Sequence, residues 1–536
     1  MSPAKRIPSF LEPGDHRYPP HAKIVATLGP ASDSPEMIER LINCGVSTFR
    51  LNFSHGDLDQ QLERFTRVRE VTARLGRPIG ILGDLQGPKM RVGPVPDHDE
   101  GGGIVAETGV DIVFAKGHGE ATLGGADGVH ATFGTTFDEI FNDVEVGQRV
   151  LVNDGAIRML VIDREPGAWL RCRVTHGGRV TSAKGINLPE SDLSVPAITD
   201  RDWECVDWGI RHQVDFFALS FVRTPGEIFT LKERIRSRCD ASYGESRDPL
   251  ACQIPVIAKI EKPQALVNLE SIIEASDGVM VARGDLGVEM EPHQVPVAQK
   301  HIVEMAGKYG KPCIVATQML ETMIQEISPT RAEASDVANA IFDGADAVML
   351  SGETAVGAHP DLVVETMSRI VRAAEDRIDK LPHAPRDASH LIEYPHRSAG
   401  LAIGAWHIAN RVNAKLVVVW SQTGGMARYL SQNDFRVPII AFSDSAIATR
   451  RMGLFNGVTP ILDDPPAGEQ PLASWTDRVE AVATERRWVN PGDAVVLIAG
   501  KPLGSVKAQD ILAILRVGDD NSGFRGHDDA PVPGMR

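Results

Sequence analysis

Eight short apolar segments alternate with helical patterns along most of this chain, and this alternation limits its fold more than any other feature. Each apolar segment ends in small or polar residues, and stretches of helical periodicity separate the segments. Eight strands that are each followed by a helix favour a closed (β/α)8 barrel of the TIM type over an open sheet. The predicted strands cover residues 23–29, 47–54, 79–85, 216–222, 256–261, 278–286, 312–320 and 347–353.

Capping signals mark two of the predicted helices. The pair Asp33–Ser34 precedes Pro35, which suits the first helical position, and Gly45 follows where that helix should stop. A second helix opens on the spacing of a capping box, formed by Thr330 and Glu333. These signals predict one helix after the first strand and another before the eighth.

The strand and helix alternation is interrupted once and resumes in a different form near the carboxyl terminus. Between residues 89 and 188 the helical period disappears, and paired strands flank the turn Asn153-Asp154-Gly155. We therefore predict an α/β protein with a β-barrel lid inserted into the barrel and a second, smaller α/β domain. The predicted order is an N-terminal disordered tail over 1–20, barrel over 21–88, lid over 89–188, barrel over 189–385, C-terminal domain over 386–518 and a disordered tail over 519–536.

The composition excludes several other classes of protein. The net charge is -16 and the pI is near 5.5, which disfavours binding to nucleic acid or to anionic lipid. No apolar run approaches the roughly 18 residues of a membrane span, and the amino terminus lacks the apolar centre of a signal peptide. We expect a cytoplasmic protein with neither a membrane nor a nucleic-acid partner.

The cysteines and histidines give no sign of a metal or disulfide framework. The six cysteines are scattered and none forms a CxxC pair, so we expect buried thiols. The histidines show no HExxH or His-x-His pattern. We therefore predict neither a disulfide nor a zinc site.

Polar side chains are concentrated where the predicted barrel strands end, which is where barrels of this type place their active sites. Alternation along a strand puts residues two apart on one face, so Lys259 and Glu261 should point the same way, as should Asn52 and Ser54. The polar residues at the strand ends are Arg50, Asn52, Ser54, Asp84, Lys259, Glu261, Arg283, Asp285, Thr317, Ser351 and Glu353. This end of the barrel is the predicted active site.

A carboxylate pair suggests a metal site for phosphoryl transfer. Glu261 and Asp285 lie on adjacent strands, and two hard oxygen ligands with open water positions suit Mg²⁺ bound to substrate phosphate. Lys259 beside them supplies the positive charge that phosphoryl transfer needs. Three other interpretations stay open: a structural salt bridge inside the barrel, a Schiff-base lysine of an aldolase-like enzyme, and a catalytically silent barrel with a binding role.

Eight long strings of this sequence stand in the order and spacing of the pyruvate kinase family, and the chain resembles that family from residue 21 to about 518. The resemblance implies a barrel, a lid and an α/β domain, usually assembled as a homotetramer. It also implies a glycolytic enzyme that transfers the phosphoryl group of phosphoenolpyruvate to ADP, giving pyruvate and ATP. The strings are KIVATLGPAS, FRLNFSHG, GDLQGPKMR, KGINLP, IAKIEKPQA, DGVMVARGDLGVE, ATQMLETM and PTRAEASDVANAIFDGADAVMLSGETA.

The resemblance implies roles for the residues around the predicted metal. Glu261 and Asp285 look like the ligands of Mg²⁺, which Mn²⁺ could replace, and Lys259 looks like the cation that bridges the phosphoryl group in transfer. Gly284 and Asp285 open a short helix whose amides would bind the substrate carboxylate. Thr317 resembles a further contact to the substrate.

Other residues resemble the groups that complete the reaction. Thr317 and Ser351 are both candidates for organising the proton delivered to the enolate, and Arg50 resembles a catalytic contact to the transferred phosphoryl group. Asp154, on the lid hairpin, resembles the acid that meets Arg50 when the lid closes. Residues that resemble nucleotide or phosphate contacts are Asn52, His55, Arg91 and Lys184, although His55 could instead cap a loop and Lys184 could be a solvated surface charge.

One departure from the common family pattern concerns potassium. Many members bind K⁺ at positions that match Asn52, Ser54, Asp84 and the backbone of Leu85, with a glutamate where this chain has Lys89. The change resembles members that need no monovalent cation, because an ammonium group supplies the missing positive charge. We therefore expect K⁺ not to be required, unless Lys89 points into solvent.

A second departure concerns regulation. In some members a hydroxyl-rich loop of the C-terminal domain binds a phosphorylated effector, and here this loop, residues 421–431, reads SQTGGMARYLS. Met426 and Gly425 replace polar side chains, but Ser421, Thr423 and Arg428 could still form a phosphate nest. We expect a phosphorylated effector to remain possible at this loop.

Overall fold

The structure is a computed structural model, and it describes residues 17–96, 102–243, 248–381, 397–433, 435–505 and 509–525. In chain order, the strands β1 to β22 are Lys23–Thr27, Val46–Asn52, Gly80–Asp84, Ile104–Ala106, Asp111–Ala115, Thr122–Leu123, Val129–Phe133, Arg149–Val152, Ile157–Glu165, Trp169–His176, Gly178–Val180, Ile186–Asn187, Phe216–Leu219, Val256–Ile260, Gly278–Ala282, Cys313–Ala316, Ala347–Leu350, Leu416–Trp420, Ile439–Ser443, Val458–Leu462, Ala494–Lys501 and Gln509–Arg516.

The α-helices follow the same order. Helices α1 to α16 are Pro35–Cys44, Leu58–Leu75, Ile140–Asp143, Asp200–His212, Pro225–Tyr243, Pro263–Val267, Leu269–Ala275, Arg283–Glu289, Val295–Lys308, Arg331–Asp343, Gly352–Ala355, Pro360–Asp379, Arg397–Val412, Gly425–Ser431, Ala446–Met452 and Pro471–Glu485. Short 3-10 helices cover Ala126–Gly128, Pro249–Cys252 and Glu321–Ile324. In the described part of the chain, none of the helices has both the length and the apolar character that crossing a bilayer requires.

The predicted eight-stranded barrel is confirmed. Its strands are parallel and close in the order β1-β17-β16-β15-β14-β13-β3-β2. Seven of the eight are buried at every residue, and only β2 has partly exposed positions. Parallel strands that are covered on both faces have continuous apolar sequences, because side chains on both sides are buried. This is why the sequence pattern predicted them. Each strand is shorter than its apolar segment, because the polar residues at its end belong to the following loop or helix.

The predicted capping signals act as expected. Ser34 is the N-cap of α1 and accepts a hydrogen bond from the Met37 amide, and Gly45 ends the helix at a φ of 123°. Thr330 and Glu333 form a capping box at the start of α10. These caps satisfy amide groups that the first turn of a helix leaves without partners.

The inserted lid has its own sheets and its own core. A seven-stranded sheet runs β12-β8-β9-β10-β5-β7-β6, and β11 pairs with β4 in a small second sheet. Strands β8 and β9 pair antiparallel, and Asn153, Asp154 and Gly155 between them all have positive φ. Glycine and asparagine or aspartate tolerate this conformation best, so the Asn-Asp-Gly sequence fits the turn.

The C-terminal domain is a five-stranded sheet of order β20-β19-β18-β21-β22, with the last strand antiparallel. Both predicted tails turn out shorter than expected. Tyr18 donates to the Trp488 carbonyl, and Phe524 is buried against Trp475. Partly buried Tyr18 and buried Phe524 therefore attach the two ends of the described chain to this domain, and the rest of both predicted tails lies outside the described residues.

The expectation that all six cysteines are free thiols was wrong. Cys239, near the end of α5, forms a disulfide with Cys252, and the two Cα atoms are 5.3 Å apart. Residues that are 13 positions apart in the sequence thus meet in space. Their spacing matches no common motif, so the sequence alone gave no signal for this pair.

A buried carboxylate joins the barrel to the C-terminal domain. Asp215 is 0% exposed; its Oδ2 accepts from Arg69 Nη2 at 2.7 Å and from the Ile81 amide at 2.8 Å, and its Oδ1 accepts from Arg450 Nε at 2.8 Å. Burial raises the pKa of Asp215, but the two guanidinium groups outweigh it and hold the pKa below its usual value. The carboxylate therefore stays charged and bridges both domains.

Replacing Asp215 by alanine is expected to lower the free energy of unfolding by about 3–5 kcal/mol, because it leaves two partly buried arginines without their counter-charge. The fall should appear as a lower urea midpoint. The matched control is Asp361→Ala, whose carboxylate is exposed and 3.8 Å from Arg40, and for which a change of at most about 1 kcal/mol is expected. Equal urea midpoints for Asp215→Ala and Asp361→Ala would contradict the role of Asp215 as a bridge between the two domains.

Candidate active site

A lysine at the carboxyl end of β14 lies at the centre of the polar strand ends. Lys259 Nζ is 2.9 Å from Glu261 Oε1 and 3.3 Å from Asp84 Oδ1, and it donates to Ser220 Oγ at 2.7 Å. Lys259 and Glu261 point the same way, as their spacing predicted. Ser220 was missed by the sequence analysis, although it stands in the polar segment directly after β13.

The charge state of this lysine follows from its neighbours. Burial lowers the pKa of Lys259, but the carboxylates of Asp84 and Glu261 outweigh burial and raise it above its ordinary value. The side chain is only 10% exposed, so these charges act with little screening from water. A Schiff-base mechanism needs a neutral amine, and this environment opposes it.

Asp84 connects this lysine to a second cation. Arg50 Nε donates to Asp84 Oδ2 at 2.6 Å, and Arg50 Nη1 donates to Thr27 Oγ1 at 3.1 Å. Burial raises the pKa of Asp84, but Lys259 and Arg50 outweigh it and lower the pKa overall. Asp84 therefore stays ionised and orients two cations side by side, a role that the sequence analysis did not foresee.

The two predicted metal ligands lie on neighbouring elements. Glu261 follows β14, and its Oε2 accepts from the Phe221 amide at 2.7 Å. Its Oε1 is buried and forms the ion pair with Lys259 without an aligned hydrogen bond. Burial is the largest cause that raises the pKa of Glu261. Asp285 lies in α8, which follows the adjacent strand β15.

This donor set fits a divalent cation that also binds substrate. In the residues that the structure describes, no group of three or more His, Cys, Asp or Glu side chains converges. Two carboxylates with further positions for water and phosphate oxygens suit Mg²⁺, which keeps several waters when bound to proteins. The buried Oε1 of Glu261 already faces one cation, the Lys259 ammonium at 2.9 Å, and among the described residues it accepts no aligned hydrogen bond.

The loop after β16 is held in an uncommon conformation. Thr317 and Gln318 have φ angles of +67° and +54°. Arg283 donates to the Thr317 carbonyl at 2.7 Å and to Asp336 Oδ1 at 2.7 Å, so it supports this loop and is not positioned as a free anion contact. Thr317 Oγ1 accepts from the Gly284 amide at 2.7 Å, which means that one of the helix amides predicted to bind the substrate carboxylate is engaged within the protein.

The loop after β17 contains a hydroxyl group with no partner. Ser351 Oγ is buried and makes no hydrogen bond. The Ser351 amide donates to Glu353 Oε2 at 2.7 Å, and Glu353 Oε1 accepts from the Leu320 amide at 3.2 Å. Thr317 Oγ1, by contrast, donates to the Ala316 carbonyl at 2.7 Å. Glu353 thus connects the two loops that follow β16 and β17.

Three cations surround His55 at the mouth of the barrel. Burial is the largest cause that lowers the pKa of His55, and the positive charges of Arg50, Lys89 and Arg91 lower it further, in that order. Lys89 is half-buried, and the role predicted for its ammonium in place of K⁺ stays a prediction. Lys89 also lines a cavity of about 360 Å³, together with Arg91, Asn153, Asp154 and Lys184.

The oxygens of the predicted monovalent-cation site already have partners. Both oxygens of Asp84 face Arg50 or Lys259, and the Leu85 carbonyl accepts from Ser220 Oγ at 2.7 Å. Asn52 Oδ1 accepts from the Ser54 amide at 3.1 Å. Asn52 thus binds Ser54, whereas Asp84 and the Leu85 carbonyl are bound by groups outside the predicted potassium site, namely Arg50, Lys259 and Ser220.

Asp154, the acid predicted to meet Arg50, lies at the side of the site that faces the lid. Asp154 is exposed on the lid turn and lines a cavity with Gly284 and Asp285, whereas the side-chain contacts of Arg50 described above are with Asp84 and Thr27. The meeting of Asp154 with Arg50 stays a prediction.

The predicted effector loop lies in the C-terminal domain. Gly424 caps α14 at a φ of 82°, and the Ala427 amide donates to Ser421 Oγ at 3.4 Å.

Comparison with known proteins matches both the barrel and the C-terminal domain. Residues 20–364 match the family described as "Pyruvate kinase, barrel domain", and residues 400–515 match "Pyruvate kinase, alpha/beta domain". A pyruvate kinase of Corynebacterium glutamicum is 40% identical over 500 residues, covering 93% of this chain and 98% of that protein. One of Mycobacterium tuberculosis is 38% identical over 514 residues, covering 93% and 99%.

The fold of a solved structure agrees with these matches. A crystal structure of a pyruvate kinase from Cryptosporidium parvum superposes with a TM-score of 0.79 at 31% identity, covering 93% of this chain and 96% of that one. The similarity in sequence and in fold therefore extends over the barrel, the lid and the C-terminal sheet together.

Proposed function

This chain belongs to the pyruvate kinase family, and we propose that it transfers the phosphoryl group of phosphoenolpyruvate to ADP in a reaction that depends on Mg²⁺ but not on K⁺. The family's reaction yields pyruvate and ATP, and its members use a divalent metal. The observation that carries the proposal is the buried set of Lys259, Asp84, Arg50 and Glu261 at the end of the barrel that also holds Asp285.

The two cations would bind and neutralise the transferred phosphoryl group. Phosphoryl transfer needs mainly positioning and stabilisation of negative charge on the equatorial oxygens. Lys259 and Arg50 are oriented in advance by Asp84, so they need little reorganisation when the charge develops. Asp84 is therefore the group that holds both cations in place.

Glu261 and Asp285 would hold Mg²⁺, or Mn²⁺ in its place. When bound, the ion supplies positive charge to the phosphate oxygens and to the enolate oxygen of the product. The carboxylates themselves contribute the anionic ligands, and the Phe221 amide orients Glu261 by donating to Oε2. The nearby Lys259 keeps Glu261 from being an isolated buried charge.

Protonation of the enolate requires a hydroxyl or water near the barrel mouth. Thr317 Oγ1 is engaged with the Ala316 carbonyl and the Gly284 amide. Ser351 Oγ has no partner and is buried. We propose that Ser351 organises the proton and that Thr317 mainly fixes the start of α8.

A direct assay tests the proposed function. Pyruvate formation from phosphoenolpyruvate and ADP with Mg²⁺ would be measured in parallel buffers containing K⁺ or tetramethylammonium. Equal turnover is expected in both. Turnover only with K⁺ would leave the kinase activity standing and overturn the potassium independence, and no turnover in either buffer would overturn the proposed reaction.

Lys89→Glu is expected to create a potassium requirement. A positive charge about 6 Å from the phosphates is worth roughly 3 kcal/mol at an effective dielectric near 20, on the order of a hundredfold in rate. Turnover should fall by at least that factor without K⁺, because the variant also adds a negative charge, and it should rise again when K⁺ is added. The matched control Lys89→Gln loses the charge but gains no acid to hold K⁺, so potassium should not restore it. Unchanged turnover of Lys89→Glu in tetramethylammonium would contradict the role of Lys89.

Three further proposals rest on family membership. We propose that the enzyme is cytoplasmic, that it is a homotetramer, and that a phosphorylated effector binds the loop of residues 421–431. The match of residues 400–515 to the family's α/β domain supports the last two. Light scattering of the purified chain would decide the oligomeric state.

A further inference from the structure

A buried ion pair lies beneath the lid, beside the groups already described. Lys262 Nζ is 2.6 Å from Glu289 Oε1, and the two side chains are 8% and 1% exposed. The same Oε1 accepts a hydrogen bond from Asn187 Nδ2 at 2.9 Å. One carboxylate oxygen therefore binds two donors from separate parts of the chain, while Glu289 Oε2 is buried and has no hydrogen-bond partner among the residues that the structure describes.

On one side this carboxylate contacts the lid. Asn187 lies in β12, the last strand of the lid, and pairs with Leu151 of β8. Strand β8 leads into the turn at Asn153–Gly155, and a Cβ built on Gly155 would lie 3.6 Å from Val288 Cγ1. The lid thus meets the end of α8 at two successive residues, Val288 and Glu289.

On the other side the same carboxylate contacts the predicted metal site. Glu289 is the last residue of α8, the helix that contains Asp285. Lys262 directly follows Glu261, and its ammonium lies 5.9 Å from the centre of the Phe221 ring, whose amide donates to Glu261. Any shift of Glu289 therefore acts on the chain segments that carry both carboxylates.

We propose that Glu289 is a positioning residue that couples the docking of the lid to the placement of Asp285. This inference rests on the proposed function, because it assumes that the site beneath the lid binds a nucleotide and that docking of the lid affects this binding. Asn187 transmits the position of the lid to Glu289, and Lys262 fixes Glu289 to the barrel. Arg91 and Lys184, the predicted nucleotide contacts, line the cavity next to the lid turn. Loss of the hydrogen bond between Asn187 and Glu289 should therefore weaken the binding of ADP more than it slows the chemical step.

The test compares variants of the lid donor, which leave the Lys262–Glu289 pair intact. Asn187→Ala removes the donor, and Asn187→Asp puts a second negative charge beside Glu289. Amide hydrogen exchange over residues 150–158 in the enzyme without substrates should become faster, on the order of tenfold for alanine and more for aspartate. The KM for ADP and the Mg²⁺ concentration for half-maximal activity should rise in the same order, while kcat at saturating ADP and Mg²⁺ changes by less than about threefold.

A second contact between lid and barrel provides the matched control. Arg149 Nη1 lies 3.5 Å from Glu291 Oε1, and both side chains are exposed, so Arg149→Ala should change exchange and KM by less than about twofold. The proposal would be overturned if both Asn187 variants showed the same amide exchange rates as Arg149→Ala, or the same KM for ADP. A uniform fall in kcat with unchanged KM would also overturn it, since it would indicate loss of folded enzyme only.

The exchange measurement separates this proposal from the proposed function. If the wild-type chain formed no pyruvate, the proposed reaction would fail. Lid exchange in the same samples would still show whether Asn187 docks the lid on Glu289, and unchanged exchange would overturn the inference by itself.

Discussion

Replacing Lys259 by methionine is expected to lower kcat on the order of a thousandfold. The substitution keeps the length of the side chain but removes the charge that would meet the transferred phosphoryl group, and loss of a single preorganised donor costs up to about this factor in other enzymes. Pyruvate formation under saturating substrates and Mg²⁺ measures the effect. A fall in kcat of less than tenfold would contradict the assignment.

The control for this variant is Lys23→Met. Lys23 is 7% exposed and Lys259 is 8% exposed, but Lys23 Nζ donates to the Val458 carbonyl at the junction with the C-terminal domain. Both changes remove a buried ammonium, so any general cost to folding should be similar. Only Lys259→Met should abolish turnover of the enzyme that remains folded.

Asp285→Asn is expected to lower kcat/KM for phosphoenolpyruvate on the order of a hundredfold or more and to raise the Mg²⁺ concentration for half-maximal activity at least tenfold. The amide keeps the shape of the carboxylate but removes the charge that a hard cation prefers. A titration of activity with Mg²⁺ measures both effects. Glu291→Gln, which neutralises an exposed acid just beyond α8, should leave the titration unchanged, and an unchanged titration of Asp285→Asn would remove Asp285 from the metal site.

The barrel and the location of its site were predictable because both depend on local patterns. The buried parallel strands have an apolar sequence, and the polar residues that end them, such as Lys259 and Asp285, must gather at one end of a closed barrel. The pairing of Lys259 with Glu261 followed from alternation along one strand.

Other features depend on contacts between distant segments, and no local pattern encodes them. Asp84 bonds to Arg50 and approaches Lys259, and Ser220 bonds to both Lys259 and the Leu85 carbonyl. These pairings require the order of the strands around the barrel, which the sequence does not state. The same holds for Phe524, whose burial against Trp475 was not expected of a polar tail.

The direct pairing of β3 with β13 has a consequence for how this chain reaches its native state. The Ile81 amide bonds to Asp215 across a separation of 134 residues, so this pair of strands comes together at the point where the lid leaves and re-enters the barrel. The entropy of closing such a loop grows only logarithmically with its length, and doubling it costs about 0.6 kcal/mol. Lengthening or shortening the lid should therefore change equilibrium stability little. The barrel cannot close, however, until the ribosome has released the whole insert. The lid therefore delays the folding of the barrel during synthesis.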